Sequence, residues 1–296
     1  MTVHGKVPRD VRQIDYVWIP LSDDTRLVAR VCLPVDAEAD PVPAILEAVP
    51  YRLSDGMVTR DVLIHPYYAG HGYACVRVDL RGSGESDGVL EDEHAPQEQE
   101  DLLEVIAWIA RRPWCSGGVG MTGISWGVRL EHNEARVHTW LAHQRRDGHW
   151  KHGSVCEDYA AIAVPVYAIG DCADGYTNAV LRLLEGLSGP HKGLIGPWGH
   201  GFPHNAAPGP AIGFLQKSLR WWDHWLGGPD TGVMDEPMLR VWMQESTAPS
   251  GQVGGGPGSR SYVRDLATTA SRGRTGSWTA ATSSCPTGGR ARSGTP

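Results

Sequence analysis

Five short apolar runs dominate the chain: AILEAVPY (44–51), YACVRVDL (73–80), GVGMTGIS (118–125), VPVYAIG (164–170) and HKGLIG (191–196). Each is four to eight residues of apolar character running into a loop, the form taken by strands buried on both faces. Parallel strands need crossovers, and the intervening sequence supplies them. Residues 57–70 fit a short helix. QEQEDLLEVIAWIAR (97–111) places Leu102, Val105, Ile106 and Ile109 on one face before Pro113 stops it. GFLQKSLRWWDHWLGG (213–228) carries Leu215, Leu219, Trp222 and Leu226 in a stripe closed by two glycines. Ahead of these, YVWIPLSDDTRLVARVCLP (16–34) alternates around a Ser-Asp-Asp turn and reads as an antiparallel hairpin; EPMLRVWMQES (236–246) reads as one more strand. Strands alternating with helices imply an α/β fold, a mostly parallel sheet with helices on both faces.

Charge and composition narrow the function. A formal charge of −7 offers no basic face, which argues against a nucleic-acid partner. No run of eighteen apolar residues marks a membrane span, and the opening MTVHGKVPRDVRQID has no apolar signal region, so the expectation is a cytoplasmic protein. Six cysteines, Cys32, Cys75, Cys115, Cys156, Cys172 and Cys285, lie far apart with no CxxC pair, and are expected as reduced thiols. The segment 251–296 is mostly Gly, Ser, Thr, Arg, Ala and Pro, and is expected to be disordered.

Gly123-Ile124-Ser125-Trp126-Gly127 fits Gly-x-Ser-x-Gly, but so does Gly84-Glu85-Ser86-Asp87-Gly88, and 37 glycines make such matches cheap. Context separates them. A nucleophile elbow needs a strand running straight into the serine and a helix leaving it. Ser125 follows an apolar run directly, whereas Ser86 sits in the polar loop RGSGESDG. A serine nucleophile needs a base and a carboxylate to orient that base. Two later strands end in loops carrying them: Asp171-Cys172-Ala173-Asp174 after VPVYAIG, and Pro197-Trp198-Gly199-His200 after KGLIG. Asp171 competes with Asp174 for the acid, and His204 with His200 for the base. His138, His143, His149 and His152 sit among charges and read as solvated or structural rather than as metal ligands. Asp79, Arg81 and Asp87 read as residues that fix a loop.

The segments VPYRLSDG (49–56), VDLRGSGESDG (78–88), GISWG (123–127), CADGYTN (172–178), GPWGHGFPH (196–204) and LRWWDHWL (219–226) resemble, in that order, the cocaine-esterase-like (CocE/NonD) hydrolases, relatives of Xaa-Pro dipeptidyl-peptidases. The resemblance covers roughly 14–127 and 140–246. It implies an α/β-hydrolase fold with Ser125 as nucleophile, Asp174 as orienting acid and His200 as general base. It also implies an oxyanion hole built from the Tyr51 hydroxyl and the Trp126 amide. The substrate would be a small-molecule ester or short peptide, with no cofactor or metal. The alternative is a catalytically inactive remnant of such a hydrolase.

The spacing departs from that family. Ser125 and Asp174 are only 49 positions apart, where family members place well over a hundred residues including another sheet strand and most of a helical cap. The join is expected near Val128–Asn133. Losing a strand should leave a gap or slide the Asp strand by one spacing, about 4.8 Å. The expected organisation is a hydrolase domain over 1–235 with a residual cap at about 129–162. A remnant β-sandwich start over 236–250, with an unpaired strand, and the tail 251–296 follow it.

Overall fold

The computed structural model describes residues 7–54, 57–92, 94–125 and 139–245, together with the backbone of 258–263. A five-stranded sheet comprises β1 (Val11–Pro20), β2 (Arg26–Pro34), β3 (Val42–Val49), β4 (Ala74–Asp79) and β5 (Cys115–Met121), in the order β1-β2-β4-β3-β5. A four-stranded sheet comprises β6 (Val166–Asp171), β7 (His191–Gly196), β8 (Leu239–Gln244) and β9 (Gly258–Val263), in sequence order. β1 and β2 form the expected antiparallel hairpin. β3 is parallel to both β4 and β5, and β7 to both β6 and β8.

The period of two along each strand sorts residues between faces. Ala44 and Leu46 of β3 and Ala74, Val76 and Val78 of β4 pack in one core with Val105 and Ile109 of α2 (Pro96–Ala110). Their neighbours Ile45 and Cys75 pack in another core with Ile64 and Tyr68 of α1 (Val58–Gly70) and with Phe214 and Leu215 of α4 (Phe214–Trp222). In the second sheet, Ala168, Ile195 and Leu239 pack on Val180 and Leu184 of α3 (Thr177–Gly186). Glycine makes that approach possible: a Cβ on Gly193 would lie 2.5 Å from the Leu184 side chain.

The chain's strands fall into two separate sheets rather than one. Among the described residues, β5 and β6 are both sheet edges, with no ladder between them. α4 spans the break. Its Trp222 ring comes within 2.6 Å of where a Gly120 Cβ would sit on β5, while Trp221 lies 5.3 Å from the Tyr167 ring on β6. The helix ends in a π-helical turn, Asp223–Gly227, before Gly228 at φ 92°, a left-handed stop that suits glycine.

Two expectations need correction. β8 is not unpaired: it continues the second sheet in parallel with β7. Within the segment expected to be disordered, Gly258–Val263 forms β9 and pairs antiparallel with β8. The exposed backbone edge of β8 provides a ladder that does not require an apolar pattern in its partner. The rest of that tail lies outside the described residues, as does the stretch 126–138 that contains the join. No helix among the described residues is long and apolar enough to cross a membrane.

Candidate active site

Ser125 stands four residues past β5, and its φ is +58°. A non-glycine residue in the left-handed region costs of order 1–3 kcal/mol, and such strain is characteristic of nucleophile elbows, where it thrusts the hydroxyl outward. The residue is exposed, as that geometry demands. The run into it is firm, since the Thr122 N–H donates to the Leu46 carbonyl at 2.9 Å beyond the end of β5. Ser86, the competing match, is held differently. Its hydroxyl donates to the Asp79 carbonyl at 2.8 Å and accepts the Val28 N–H at 2.9 Å, so it ties a loop together.

The acid and base loops leave adjacent strands, β6 and β7, and are bonded to each other. The Cys172 N–H donates to the Gly196 carbonyl at 2.7 Å, and the Ala173 N–H to the Trp198 carbonyl at 3.0 Å. Trp198 is fully buried and its indole N–H donates to the Pro210 carbonyl at 2.9 Å. On this frame His200 Nδ1 lies 2.7 Å from Asp174 Oδ2, while Asp174 Oδ1 accepts the Tyr176 N–H at 3.3 Å. Asp171 is the buried member of the loop; burial first, then the nearby Asp174 charge, pushes its pKa up to about 6. His204 stacks on Phe214 with ring centroids 5.8 Å apart, and burial lowers its pKa. Its surroundings are those of a packed neutral ring.

Ser125, Asp174 and His200 line one cavity of about 1280 Å³, which opens between β5 and β6. His200 is hydrogen-bonded to Asp174 and not to Ser125. Tyr51 follows β3, is half-buried and is not among the residues lining the cavity. Its loop is anchored from beneath: the Ser83 hydroxyl donates to the Pro50 carbonyl at 2.7 Å, and the Leu53 N–H to Asp79 Oδ2 at 3.1 Å. Arg81 pairs with Asp101 and Asp23, and Arg26 with Asp87, so Asp79, Arg81 and Asp87 do brace loops. Trp126 lies outside the described residues. In the cap segment His143 pairs with Asp147 at 2.6 Å and stacks on His149, 4.4 Å away.

Sequence reasoning missed a buried ionic cluster under the site. Glu47 and Arg77 occupy inward positions of β3 and β4 on the face that meets α1. Arg60 Nη2 lies 2.7 Å from Glu47 Oε2 and 2.6 Å from Asp61 Oδ1, Arg77 Nε lies 3.3 Å from Asp61 Oδ2, and His65 adjoins Glu47 at 3.5 Å. Burial works to raise the Glu47 pKa, but His65, Arg60 and Arg77 hold it below its ordinary value. Glu47, Asp61 and His65 have metal-ligand spacing, yet both carboxylates are already held by arginine, which balances the charge without a cation. Arg60 also sits 5.3 Å above the Phe202 ring, two residues from His200. The legible signal was a charge in the middle of each of two apolar strands, AILEAV and ACVRVD.

The chain is similar to known esterases and hydrolases. The cocaine esterase of a Rhodococcus strain is 33% identical over 113 residues, covering 37% of this chain and 19% of that protein. A Mycobacterium tuberculosis protein described as a serine esterase is 30% identical over 125 residues, covering 37% of this chain and 20% of that protein. The chain thus spans about a fifth of the length of these relatives. A CocE/NonD family hydrolase structure from Staphylococcus aureus superposes with a TM-score of 0.70 at 14% identity, covering 88% of this chain and 57% of the other. An α-amino-acid ester hydrolase superposes with a TM-score of 0.61 at 15% identity, covering 81% and 58%. These likenesses identify the α/β-hydrolase fold. The family model described as X-Pro dipeptidyl-peptidase (S15 family) matches residues 23–131 and 128–202, breaking in two where the sequence put the join. The chain therefore belongs to the S15 family of X-Pro dipeptidyl-peptidases and the CocE/NonD-like hydrolases related to them.

Proposed function

We propose that the chain is a serine hydrolase that cleaves an ester or amide through an acyl-enzyme on Ser125. His200 Nε2 takes the Ser125 proton as Oγ attacks the substrate carbonyl, and returns it to the leaving alcohol or amine. Asp174 fixes the imidazole with Nδ1–H toward its carboxylate and stabilises the imidazolium that forms. By resemblance to the family, the oxyanion donors are the Tyr51 hydroxyl, brought in from its place beside the cavity, and the Trp126 amide. Water then attacks the acyl group with His200 again acting as base. A small-molecule ester or a short peptide is the substrate class. The observation carrying this reading is the 2.7 Å His200–Asp174 pair facing the same cavity as a serine at φ +58°. The test is labelling by a fluorophosphonate probe, wild type against Ser125→Ala. Serine-dependent labelling is expected, and its absence would defeat the proposal.

A second reading, an inactive remnant, is favoured by one observation: Ser125 and His200 face the cavity without a hydrogen bond between them. Catalytic groups need to be held within about 0.5 Å of productive geometry. Failure to label a folded protein would select this reading.

A further inference from the structure

The break between the sheets has a defined shape. One side of the cavity is the β5 edge with the residues that follow it, and the other is the β6 edge, 166–171. Tyr167 and Ala168, neighbours along β6, point to opposite faces: Tyr167 meets Trp221 of α4, and Ala168 packs with Val180 and Leu184 of α3. The slot is accordingly closed on one face by Trp222, Trp225 and Leu226, and on the other by Ile106 of α2 with Val180 and Leu183 of α3. Among the described residues no backbone pairs with either edge. The Trp225 indole N–H, on the slot wall, is also buried without a partner.

We propose that this slot is an acceptor site for an extended apolar peptide, which pairs with β5 on one side and β6 on the other. Two strand edges that line one cavity, neither with a ladder partner among the described residues, are both satisfied by an extended backbone lying between them. The size agrees. A six-residue strand is about 20 Å long, occupies the 4.8 Å strand spacing and fills the ~10 Å between packed layers, roughly 950 Å³; the cavity holds about 1280 Å³. The residues that close the slot are mostly apolar, with Thr122, Asp171 and Ser218 among its polar lining, so the peptide is predominantly apolar, as buried parallel strands are. This binding does not depend on the proposed hydrolysis.

The probe is a blocked peptide of five Val, Ile and Ala residues flanked by lysines, titrated into full-length Ser125→Ala protein so that cleavage plays no part. The control carries N-methyl groups on alternate amides, which keep the side chains and remove backbone donors. Thermal unfolding, tryptophan fluorescence and amide hydrogen exchange are followed. The expected result is a rise in Tm, slowed exchange in 115–121 and 166–171, and at least tenfold weaker binding of the methylated peptide. Equal binding of both peptides would overturn the proposal, because apolar adsorption would then suffice. No binding with fast-exchanging edges would overturn it, as would edges already protected without peptide. Fluorophosphonate labelling of wild type reads the hydrolase proposal separately.

Discussion

His200 Nδ1 and Asp174 Oδ2 are 2.7 Å apart, on loops that leave two neighbouring parallel strands and are cross-bonded at Cys172 and Ala173. Both strands belong to the same sheet, hydrogen-bonded side by side, so the break between β5 and β6 does not come between the two loops. Asp174→Asn keeps the size of the side chain but reverses its demand on the imidazole, favouring the wrong tautomer. The expected outcome is a fall in ester turnover or probe-labelling rate of about 10³-fold or more, with little change in Tm. Stopped-flow or timed labelling of the two proteins measures it.

Asp171 has the opposite character, buried with Oδ1 unpartnered and its pKa pushed up to about 6. Its folded pKa lies above the unfolded value of 3.8, so the folded state binds the proton more tightly. Below about pH 4 both states are protonated and the residue is neutral for stability. As pH rises from about 4 to about 6 the unfolded state loses its proton first, and stability falls. Asp171→Asn removes this dependence. Denaturant melts should show the variant more stable than wild type above pH 6, by roughly 1–2 kcal/mol after solvent screening, and equal to it near pH 4.

The cluster beneath the site is set by which side chains are left behind. Removing Arg60 strands the buried carboxylates of Glu47 and Asp61. Arg60→Ala should cost about 3–5 kcal/mol in urea unfolding, and the Glu47→Gln/Arg60→Met double variant should recover part of the loss. If Arg60→Ala costs under 1 kcal/mol, the cluster is not the buried ionic unit described above.

How much of this was readable beforehand depends on the range of the interaction. The hairpin, the helix 96–110 and the parallel strands were legible because periodicity and strand length are local signals. The loops carrying Asp174 and His200 were legible because each follows a strand, while the choice of Asp174 over Asp171 came from the family resemblance. The sheet break was legible only as a spacing anomaly, since the packing of α4 on both edges, Trp222 against Gly120 and Trp221 against Tyr167, is a long-range contact that no local pattern reports. β9 was not legible: a polar strand on a sheet edge takes its order from its partner's backbone rather than from its own pattern. The ionic cluster needs four segments, β3, β4, α1 and the His200 loop, to come together, and single-strand charge placement only hints at it.

The seat of the base loop is a contact between Gly196, the last residue of β7, and the ring of Trp198. A Cβ at Gly196 would fall 2.2 Å from that ring, so any side chain there must displace a tryptophan that is 1% exposed. Trp198 also anchors Pro210 through its indole and receives the Ala173 N–H at its carbonyl, so moving it shifts both loops. Gly196→Ala is expected to cost about 1–3 kcal/mol through overpacking. It should also slow probe labelling far more than the stability loss alone would, because His200 moves with the loop. Trimming the ring in the Gly196→Ala/Trp198→Leu double variant relieves the clash, so the two changes should be non-additive in a double-mutant cycle by at least 0.5 kcal/mol. Additive costs would show that Gly196 and Trp198 do not share the contact, and that the loop is seated some other way.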